Sequence, residues 1–328
     1  MLYPVIFQPV FKERVWGGRK LEELYQKPLP PDRPIGESWE ITDRPEGVGV
    51  IANGALAGKD LRWLMEHHEK ELIGRMPSSP ARFPLLIKIL DAREILSLQV
   101  HPPAAVAAEL GGEPKTEMWY IADAAPGAEL FVGLRKGTTR QEFETKIQEG
   151  TVADCIHRIP VKSGDAIFLP SGRVHAIGAG LVIFEIQQNS DTTYRVFDWN
   201  RVGLDGKPRT LHIAQSLASI NFQDFEPALI PSRYSRNETI KVRYLVNDAL
   251  FHVDALQVKR GQRFHLRSSG LQILGLLRGR LILMHGEGEL RLKAGDFALL
   301  PASLERVTLT AETQIEMLQI QLGSTSEA

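Results

Sequence analysis

The residues best suited to chemistry in this 328-residue chain are two histidines, a glutamate and a glutamine. Gln99 and His101 are two positions apart, so on a strand both side chains project to the same face. Glu117 and His175 each begin a further short strand-like run. Two imidazoles, one carboxylate and one amide oxygen form a nitrogen and oxygen ligand set. Such a set suits a catalytic zinc ion with an open coordination position.

Each of these side chains also has an explanation without a metal. A single histidine such as His175 fits a core residue hydrogen-bonded to backbone, Glu117 fits a surface ion pair, and Gln99 fits a polar strand position. The spacing before His175 favours the metal site. Residues 164–175 read GDAIFLPSGRVH and match the second cupin motif, G(x)5PxG(x)2H, at its four defined positions: Gly164, Pro170, Gly172 and His175. The glycines predict tight turns at the ends of two barrel strands, with the His175 imidazole at the barrel mouth.

The elements that must position these residues are mostly short strands. Twenty prolines and 28 glycines separate short apolar runs, which indicates many strands joined by turns and an all-β sandwich or barrel with helical additions. Strands are predicted at Leu85–Leu90, Met118–Ile121, Leu130–Val132, Ala166–Leu169, Leu181–Ile186, Gln272–Leu277, Arg280–Met284, Phe297–Leu300 and Ile315–Gln321. Helices are predicted from a cap at Asp60 to Gly74, from a cap at Thr139 to Gly150, and over Ala104–Leu110.

An internal repeat indicates that the barrel is duplicated. Residues 295–306, GDFALLPASLER, repeat the Gly-Asp start, the apolar run and the glycine-to-proline interval of residues 164–175. Residues 225–239, FEPALIPSRYSRNET, lie between the copies and are polar and proline-containing. The fold class is therefore mainly β, with two cupin-like jelly-roll β-barrels and a few helical additions. We predict a catalytic metal-binding domain at residues 1–235 and a C-terminal cupin-like domain at residues 236–328.

The second copy carries Arg306 at the place of His175, and an arginine has no lone pair for a cation. The C-terminal barrel is therefore predicted to bind no metal, to contain a hairpin at Gly286-Glu287-Gly288, and to shield a sheet edge of the catalytic barrel. The remaining histidines have no partner at ligand spacing and are predicted not to be ligands: His67, His68, His157, His212, His252, His265 and His285.

Composition excludes several classes of protein. Hydrophobic residues make up 43% and charged residues 24%, with a net charge of −1, and no basic stripe suggests a nucleic-acid partner. Cys155 is the only cysteine, so an intrachain disulfide and thiolate zinc motifs are excluded. The first residues lack the features of a signal peptide, and no apolar run approaches the roughly 18 residues of a membrane span. We expect a cytoplasmic protein with no membrane partner.

Seven separated segments resemble, in the same order, the type I mannose-6-phosphate isomerases, and more particularly their short bacterial form. They are VWGG (Val15–Gly18), IGESWEI (Ile35–Ile41), FPLLIKILDA (Phe83–Ala92), LSLQVHPP (Leu96–Pro103), KTEMWYI (Lys115–Ile121), LPSGRVHAIG (Leu169–Gly178) and EIQQNSDTTYRVFDW (Glu185–Trp199). The resemblance covers most of residues 1–215 and is thin past residue 225. The chain lacks a helical insertion of the longer members, and it has Pro103-Ala104-Ala105 where they carry an acidic pair after the His-Pro.

The resemblance implies an aldose–ketose isomerase that interconverts D-mannose 6-phosphate and D-fructose 6-phosphate with one zinc ion per chain. It implies zinc ligands at Gln99, His101, Glu117 and His175, with the short form more securely associated with the last three. It also implies a catalytic arginine at Arg195 and substrate contacts at Ser97 and Lys115, through phosphate or hydroxyl groups.

The mechanism that the resemblance implies is proton transfer between C1 and C2 of the open-chain sugar through a cis-enediol, with zinc as a Lewis acid. Arg195 is too basic to accept a proton, so we expect it to stabilise the enediolate charge or orient a hydroxyl. Lys115 can lose its proton when it is desolvated beside a cation, which makes it the rival candidate for the base. The sequence leaves this choice open.

Two other functions fit the same ligand set. An Fe(II) cupin dioxygenase uses two histidines and a carboxylate, and a sugar-binding cupin keeps the ligands without catalysis. The segment SDTTYR together with Lys115 suits a polar phosphosugar site better than an oxygen pocket. The expected partner is therefore a small phosphosugar.

Overall fold

The computed structural model describes residues 2–74, 80–235, 239–267, 270–286 and 288–323. The helices in this part of the chain are α1 (Lys20–Tyr25), α2 (Leu61–Ile73), α3 (Ala104–Ala107), α4 (Arg140–Glu149) and α5 (Ile213–Ser219), with a 3₁₀ turn at Val152–Cys155. None of them is long and apolar enough to cross a membrane.

The strands fall into two series along the chain. The first series is β1 (Phe7–Gln8), β2 (Val10–Gly18), β3 (Ile35–Ile41), β4 (Asp43–Arg44), β5 (Gly47–Val48), β6 (Val50–Ile51), β7 (Leu85–Ala92), β8 (Leu98–Val100), β9 (Glu117–Ala124), β10 (Glu129–Leu134), β11 (Ile156–Pro160), β12 (Ala166–Leu169), β13 (His175–Ile177), β14 (Leu181–Gln188) and β15 (Tyr194–Phe197). The second series is β16 (Ile240–Asn247), β17 (Phe251–Val258), β18 (Arg263–Arg267), β19 (Gln272–Arg278), β20 (Arg280–His285), β21 (Gly288–Lys293), β22 (Phe297–Leu300), β23 (Arg306–Ala311) and β24 (Ile315–Leu322). Each predicted strand is present.

The two series form the same arrangement of sheets twice. The first has a six-stranded sheet, β12-β9-β14-β7-β3-β2, and a five-stranded sheet, β11-β10-β13-β8-β15. The second has a five-stranded sheet, β22-β19-β24-β17-β16, and a four-stranded sheet, β21-β20-β23-β18. The central pairings are antiparallel in both. Two such antiparallel sheets facing each other form a jelly roll, so the predicted fold class is confirmed.

Apolar side chains fill the space inside each jelly roll and also the space between them. Trp119, Leu130 and Ile183 belong to the interior cluster of the first jelly roll. Phe184, the neighbour of Ile183 on β14, belongs to a second cluster that it shares with Ile320 of β24. Successive side chains of a strand point to opposite faces, so β14 is buried on both faces and its apolar run is continuous.

The larger sheets of the two jelly rolls therefore pack face to face through a common core. The N-terminal segment adds to this contact, because Val5 exchanges two backbone hydrogen bonds of 2.9 and 2.8 Å with Leu299 on β22. The division into domains at residues 1–235 and 236–328 stays a proposal. The two parts of the chain bury apolar side chains against each other.

Two of the predicted helices are confirmed with their caps. The Asp60 carboxylate accepts the N–H of Trp63 at 2.7 Å ahead of α2, and the Thr139 hydroxyl accepts the N–H of Glu142 at 3.1 Å ahead of α4. The prediction of a helix over residues 104–110 is wrong in length, because α3 ends at Ala107. The chain turns instead toward Gly111, which has a positive φ of 70°. Helices α1 and α5 were not predicted; neither has a side-chain N-cap hydrogen bond.

Candidate metal centre and active site

Sheet pairing brings the four predicted ligand positions to one mouth of the first jelly roll. His175 is the first residue of β13 and lies opposite Gln99 on β8. His101 follows the end of β8 by one residue, and Glu117 is the first residue of β9 in the facing sheet. The turn glycine Gly172, with a φ of 89°, precedes β13 as the motif predicts.

His101, Glu117 and His175 form a compact buried cluster. Nε2 of His101 lies 3.6 Å from Oε2 of Glu117, and Nε2 of His175 lies 3.4 Å from Oε1 of the same carboxylate. One ligand atom from each residue lies within 4.8 Å of the others, and all three side chains are buried. Gln99 lies beside the cluster, with its amide nitrogen 3.3 Å from Nε2 of His175.

The backbone hydrogen bonds of the two histidines direct their Nε2 atoms toward Glu117. Nδ1 of His101 donates to the carbonyl of Thr192 at 2.8 Å, and Nδ1 of His175 donates to the carbonyl of Arg173 at 2.9 Å. Each bond places the ring proton on Nδ1, so the lone pair of Nε2 faces the carboxylate. Nε2 of His101 and Oε1 of Glu117 are buried without a hydrogen-bond partner. Buried polar atoms are rarely left unpaired, so this set fits a metal ion.

Burial and charge hold the cluster in its metal-binding protonation state. Burial, with a smaller contribution from the charge of Lys115, lowers the pKa of His101 to about 3, and burial also lowers the pKa of His175. Burial acts to raise the pKa of Glu117, but the charge of Lys115 together with the interactions of His101 and His175 outweighs it and keeps that pKa well below its usual value. Neutral imidazoles and an ionised carboxylate are the forms that coordinate metals.

Lys115 is itself buried beside the cluster, with Nζ 2.9 Å from Oε2 of Glu117. Burial acts to lower the pKa of Lys115, but the carboxylates of Glu117 and Glu185 more than compensate, so its pKa is raised. The direction is opposite to the lowered pKa that the sequence analysis considered for this lysine.

A cavity of about 550 Å³ lies next to the cluster, because it is lined by Gln99, which contacts His175, and by Lys115, which contacts Glu117. The predicted site residues Ser97, Gln99, Lys115 and Arg195 all line it. Arg195 lies opposite Gln99 on β15, and its Nη1 donates to the carbonyl of Thr210 at 2.7 Å. Nε of Arg195 is buried without a hydrogen-bond partner. The volume is in the range of small-molecule sites, and the lining is rich in polar groups.

The sequence analysis missed a run of charged residues that lines the same cavity. Arg14 contacts Glu37 at 2.7 Å, and Lys88 lies 3.7 Å from Glu37 and 3.3 Å from Glu185. Indole N–H groups complete the network, since Trp39 donates to Glu37 at 2.6 Å and Trp119 donates to Glu185 at 2.9 Å. A signal was present: Lys88 and Glu185 are single charges inside otherwise apolar strands, LLIKIL and LVIFEI. Buried charges at such positions are paired or functional.

The second jelly roll has different residues at the corresponding positions. Gln272 lies opposite Leu300, as Glu117 lies opposite Leu169 in the first, and Arg306 begins β23 as His175 begins β13. Leu274, Leu283, Leu309 and Met317 belong to its apolar interior. Among the described residues, His101, Glu117 and His175 form the one group of His, Cys, Asp and Glu side chains that could hold a metal ion. The predicted hairpin joins β20 to β21, with Gly288 opposite His285; its Glu287 lies outside the described residues.

Comparisons with known proteins agree on one family. A model of the type I phosphomannose isomerase catalytic domain matches residues 5–124. The chain is 38% identical over 307 residues to the mannose-6-phosphate isomerase ManA of Bacillus subtilis, which covers 92% of this chain and 94% of that protein. It is 35% identical over 316 residues to the mannose-6-phosphate isomerase of Streptococcus mutans, covering 96% of this chain and 98% of that protein.

Solved structures resemble the whole chain. The crystal structure of mannose 6-phosphate isomerase from Bacillus subtilis superposes with a TM-score of 0.89 at 32% identity, covering 98% of this chain and 100% of that one. The apo form of the Salmonella typhimurium enzyme, at 17% identity, has a TM-score of 0.73 over 99% of this chain and 100% of that one, and so shares the fold.

Proposed function

The chain belongs to the type I mannose-6-phosphate isomerases, and from this premise we propose that it interconverts D-mannose 6-phosphate and D-fructose 6-phosphate at a zinc ion through a cis-enediol. The observation that supports a metal-dependent mechanism is the buried His101, Glu117 and His175 cluster, in which Nε2 of His101 and Oε1 of Glu117 have no hydrogen-bond partner.

His101, Glu117 and His175 would hold the ion. Gln99 would be a fourth ligand through its amide oxygen after a rotation of the amide, since its nitrogen faces Nε2 of His175 in this structure. Nitrogen and oxygen ligands with an open position suit catalytic zinc. When bound, the ion would act as a Lewis acid and stabilise the negative charge that develops on the sugar oxygens.

The remaining chemistry belongs to side chains that line the cavity. Arg195 stays protonated, so its part is to stabilise the enediolate or to orient a hydroxyl. Lys115 Nζ stays a candidate for moving the proton between C1 and C2. The structure adds the Glu185 carboxylate as a third group at the cavity, and burial raises the pKa of Glu185. Ser97, also at the cavity, offers a hydroxyl to the substrate.

The other functions that the ligand set allows are set aside by the family. An Fe(II) dioxygenase and a non-catalytic sugar-binding cupin would share the ligands, but the relatives of this chain are named as mannose-6-phosphate isomerases. The expected partner is a phosphosugar, and the cytoplasmic location expected from the sequence stays a prediction.

A coupled assay for fructose 6-phosphate made from mannose 6-phosphate tests the reaction. Chelation and dialysis should give a folded, inactive protein whose activity returns with Zn²⁺, and Fe(II) tested in parallel separates the two metals. Full activity in metal-free protein would refute the metal-dependent mechanism, and oxygen uptake without isomerisation would refute the reaction.

A further inference from the structure

One wall of the cavity is formed by the loop between β15 and α5. Gly203, Leu204, Asp205 and Arg209 of this loop line the cavity. The loop is folded on itself, because Gly203 donates its N–H to the carbonyl of Lys207 at 2.7 Å. A side chain at this wall therefore has a defined position relative to the metal cluster.

A buried carboxylate at the base of this loop is shared by two guanidinium groups. Nε of Arg209 donates to Asp198 at 2.7 Å, and Nη2 of Arg209 donates to the same carboxylate. Arg201 also donates to Asp198 through Nε and Nη2, at 3.1 and 2.9 Å. Asp198 is only 5% exposed. Of the two arginines, Arg209 lines the cavity and Arg201 does not.

This wall carries an excess of positive charge. Asp198 balances one of its two arginines, and Arg195 has no ion pair among the described residues. Burial, followed by the charge of Arg209, lowers the pKa of Arg195. Asp198 and Asp205, the two carboxylates of this wall, offset two of its three arginines, which leaves one net positive charge beside the cavity.

The other cations of the cavity are matched by carboxylates. Arg14 and Lys88 contact Glu37, Lys88 also contacts Glu185, and Lys115 contacts Glu117. Three further acids line the cavity. Glu13 lies 3.7 Å from Arg33, and Asp205 accepts the N–H of Lys207 at 3.0 Å. The negative charge of Asp191 acts to raise the pKa of three cations: Lys12, Arg14 and Lys115. Among the cations that line the cavity, Arg195 is therefore the one without an ion pair among the described residues, and Arg209 shares its carboxylate with Arg201.

We propose that Arg209, held in orientation by Asp198, is the residue that selects a phosphorylated sugar over the same sugar without phosphate. The inference rests on the proposed function and names a specificity determinant for it. With Nε and Nη2 committed to Asp198, the plane of the guanidinium is set and Nη1 still has two N–H groups to donate. A fixed guanidinium binds a phosphate dianion strongly and loses little side-chain entropy on binding. Asp198 is a positioning residue that acts through Arg209.

The test compares Arg209→Met with Arg201→Met in the zinc-loaded enzyme. Arg201 is the matched control, because it binds the same carboxylate without lining the cavity. Three quantities are measured: kcat/KM for mannose 6-phosphate, the inhibition constant of inorganic phosphate and the inhibition constant of unphosphorylated mannose. Losing a charge-assisted hydrogen bond to the substrate corresponds to a change of roughly 10- to 100-fold.

Arg209→Met should lower kcat/KM and raise the inhibition constant of phosphate by that factor, while the inhibition constant of mannose stays near its wild-type value. Arg201→Met should keep all three quantities within a few-fold of wild type. Asp198→Asn should raise KM for mannose 6-phosphate more than it lowers kcat. Equal losses in Arg209→Met and Arg201→Met, or parallel weakening of phosphate and mannose, would overturn the proposal. A wild-type enzyme without isomerase activity would instead sink the proposed function, and calorimetric titration with inorganic phosphate would still test Arg209.

Discussion

Backbone carbonyls orient both histidines of the His101, Glu117 and His175 cluster, and this orientation leaves Nε2 of each ring as the atom that can coordinate a metal. The carbonyls of Thr192 and Arg173 accept the Nδ1 protons of His101 and His175, so both Nε2 atoms face Glu117. A ring held from behind in this way coordinates a metal without further rearrangement. The same carbonyls explain why each imidazole tolerates complete burial.

Replacing His175 with alanine should weaken metal retention strongly, because it removes one of the proposed ligands. Metal content after gel filtration, measured by elemental analysis, checks this, with His157→Ala as the control for loss of a histidine outside the cluster. A metal content equal to that of wild type would show that His175 is not a ligand.

Replacing Arg195 with alanine should lower kcat by about 10²–10³-fold, the usual cost of a lost preorganised donor, while metal content stays near that of wild type. Its guanidinium lines the cavity and donates to the backbone carbonyl of Thr210. Steady-state kinetics together with metal analysis check this, with the exposed Arg158→Ala as the control. Activity within a few-fold of wild type would make Arg195 a structural residue only.

The two copies of the repeated strand pair have the same turn but different residues at the ligand positions. Before β12, the N–H of Lys162 donates to the carboxylate of Asp165 at 2.9 Å, and before β22 the N–H of Lys293 donates to Asp296 at the same distance. The turn is conserved between the two copies because each strand pair needs it to fold. The ligands were free to differ, since nothing in the strand ladder depends on them.

Purified protein should accordingly contain one zinc ion per chain. The first jelly roll supplies His101, Glu117 and His175, whereas the second has Gln272 and Arg306 at the corresponding places of its strands. Inductively coupled plasma analysis of wild type and of His175→Ala distinguishes the two jelly rolls. A second equivalent that survives in the His175→Ala variant would refute the prediction.

The two jelly rolls are joined by a shared core and by a buried arginine at the scale of the whole molecule. The side chain of Arg243, on β16, is only 2% exposed. It donates to the carbonyl of Gly164 at 2.6 Å, of Ile230 at 2.8 Å and of Pro231 at 3.0 Å. These hydrogen bonds therefore connect the second jelly roll to the turn at Gly164, where the cupin motif of the first jelly roll begins.

Replacing Arg243 with methionine should lower the free energy of unfolding by about 3 kcal/mol, because three part-buried carbonyls lose their donor and each should cost the low end of the roughly 1–3 kcal/mol of a fully buried group. Chemical denaturation measures this, with the exposed Arg260→Met as the control. Wild type should unfold in one cooperative transition, since the shared core couples the two units. Two separate transitions, or a variant as stable as wild type, would contradict this account.

The ligand set with Ser97, Lys115 and Arg195 was predicted with the help of the family resemblance. The sequence by itself determined the predicted strands, two capped helices and the duplication. These follow from apolar alternation, turn residues and motif spacing, which are local properties of the chain. The tertiary structure alone decided that Glu37, Lys88 and Glu185 meet, because they lie on β3, β7 and β14, which are neighbours only in the sheet order. It also decided that Arg209 returns to the cavity wall and that the two units share a core. Such contacts depend on which strands pair and which faces pack, and the residues that make them are far apart along the chain.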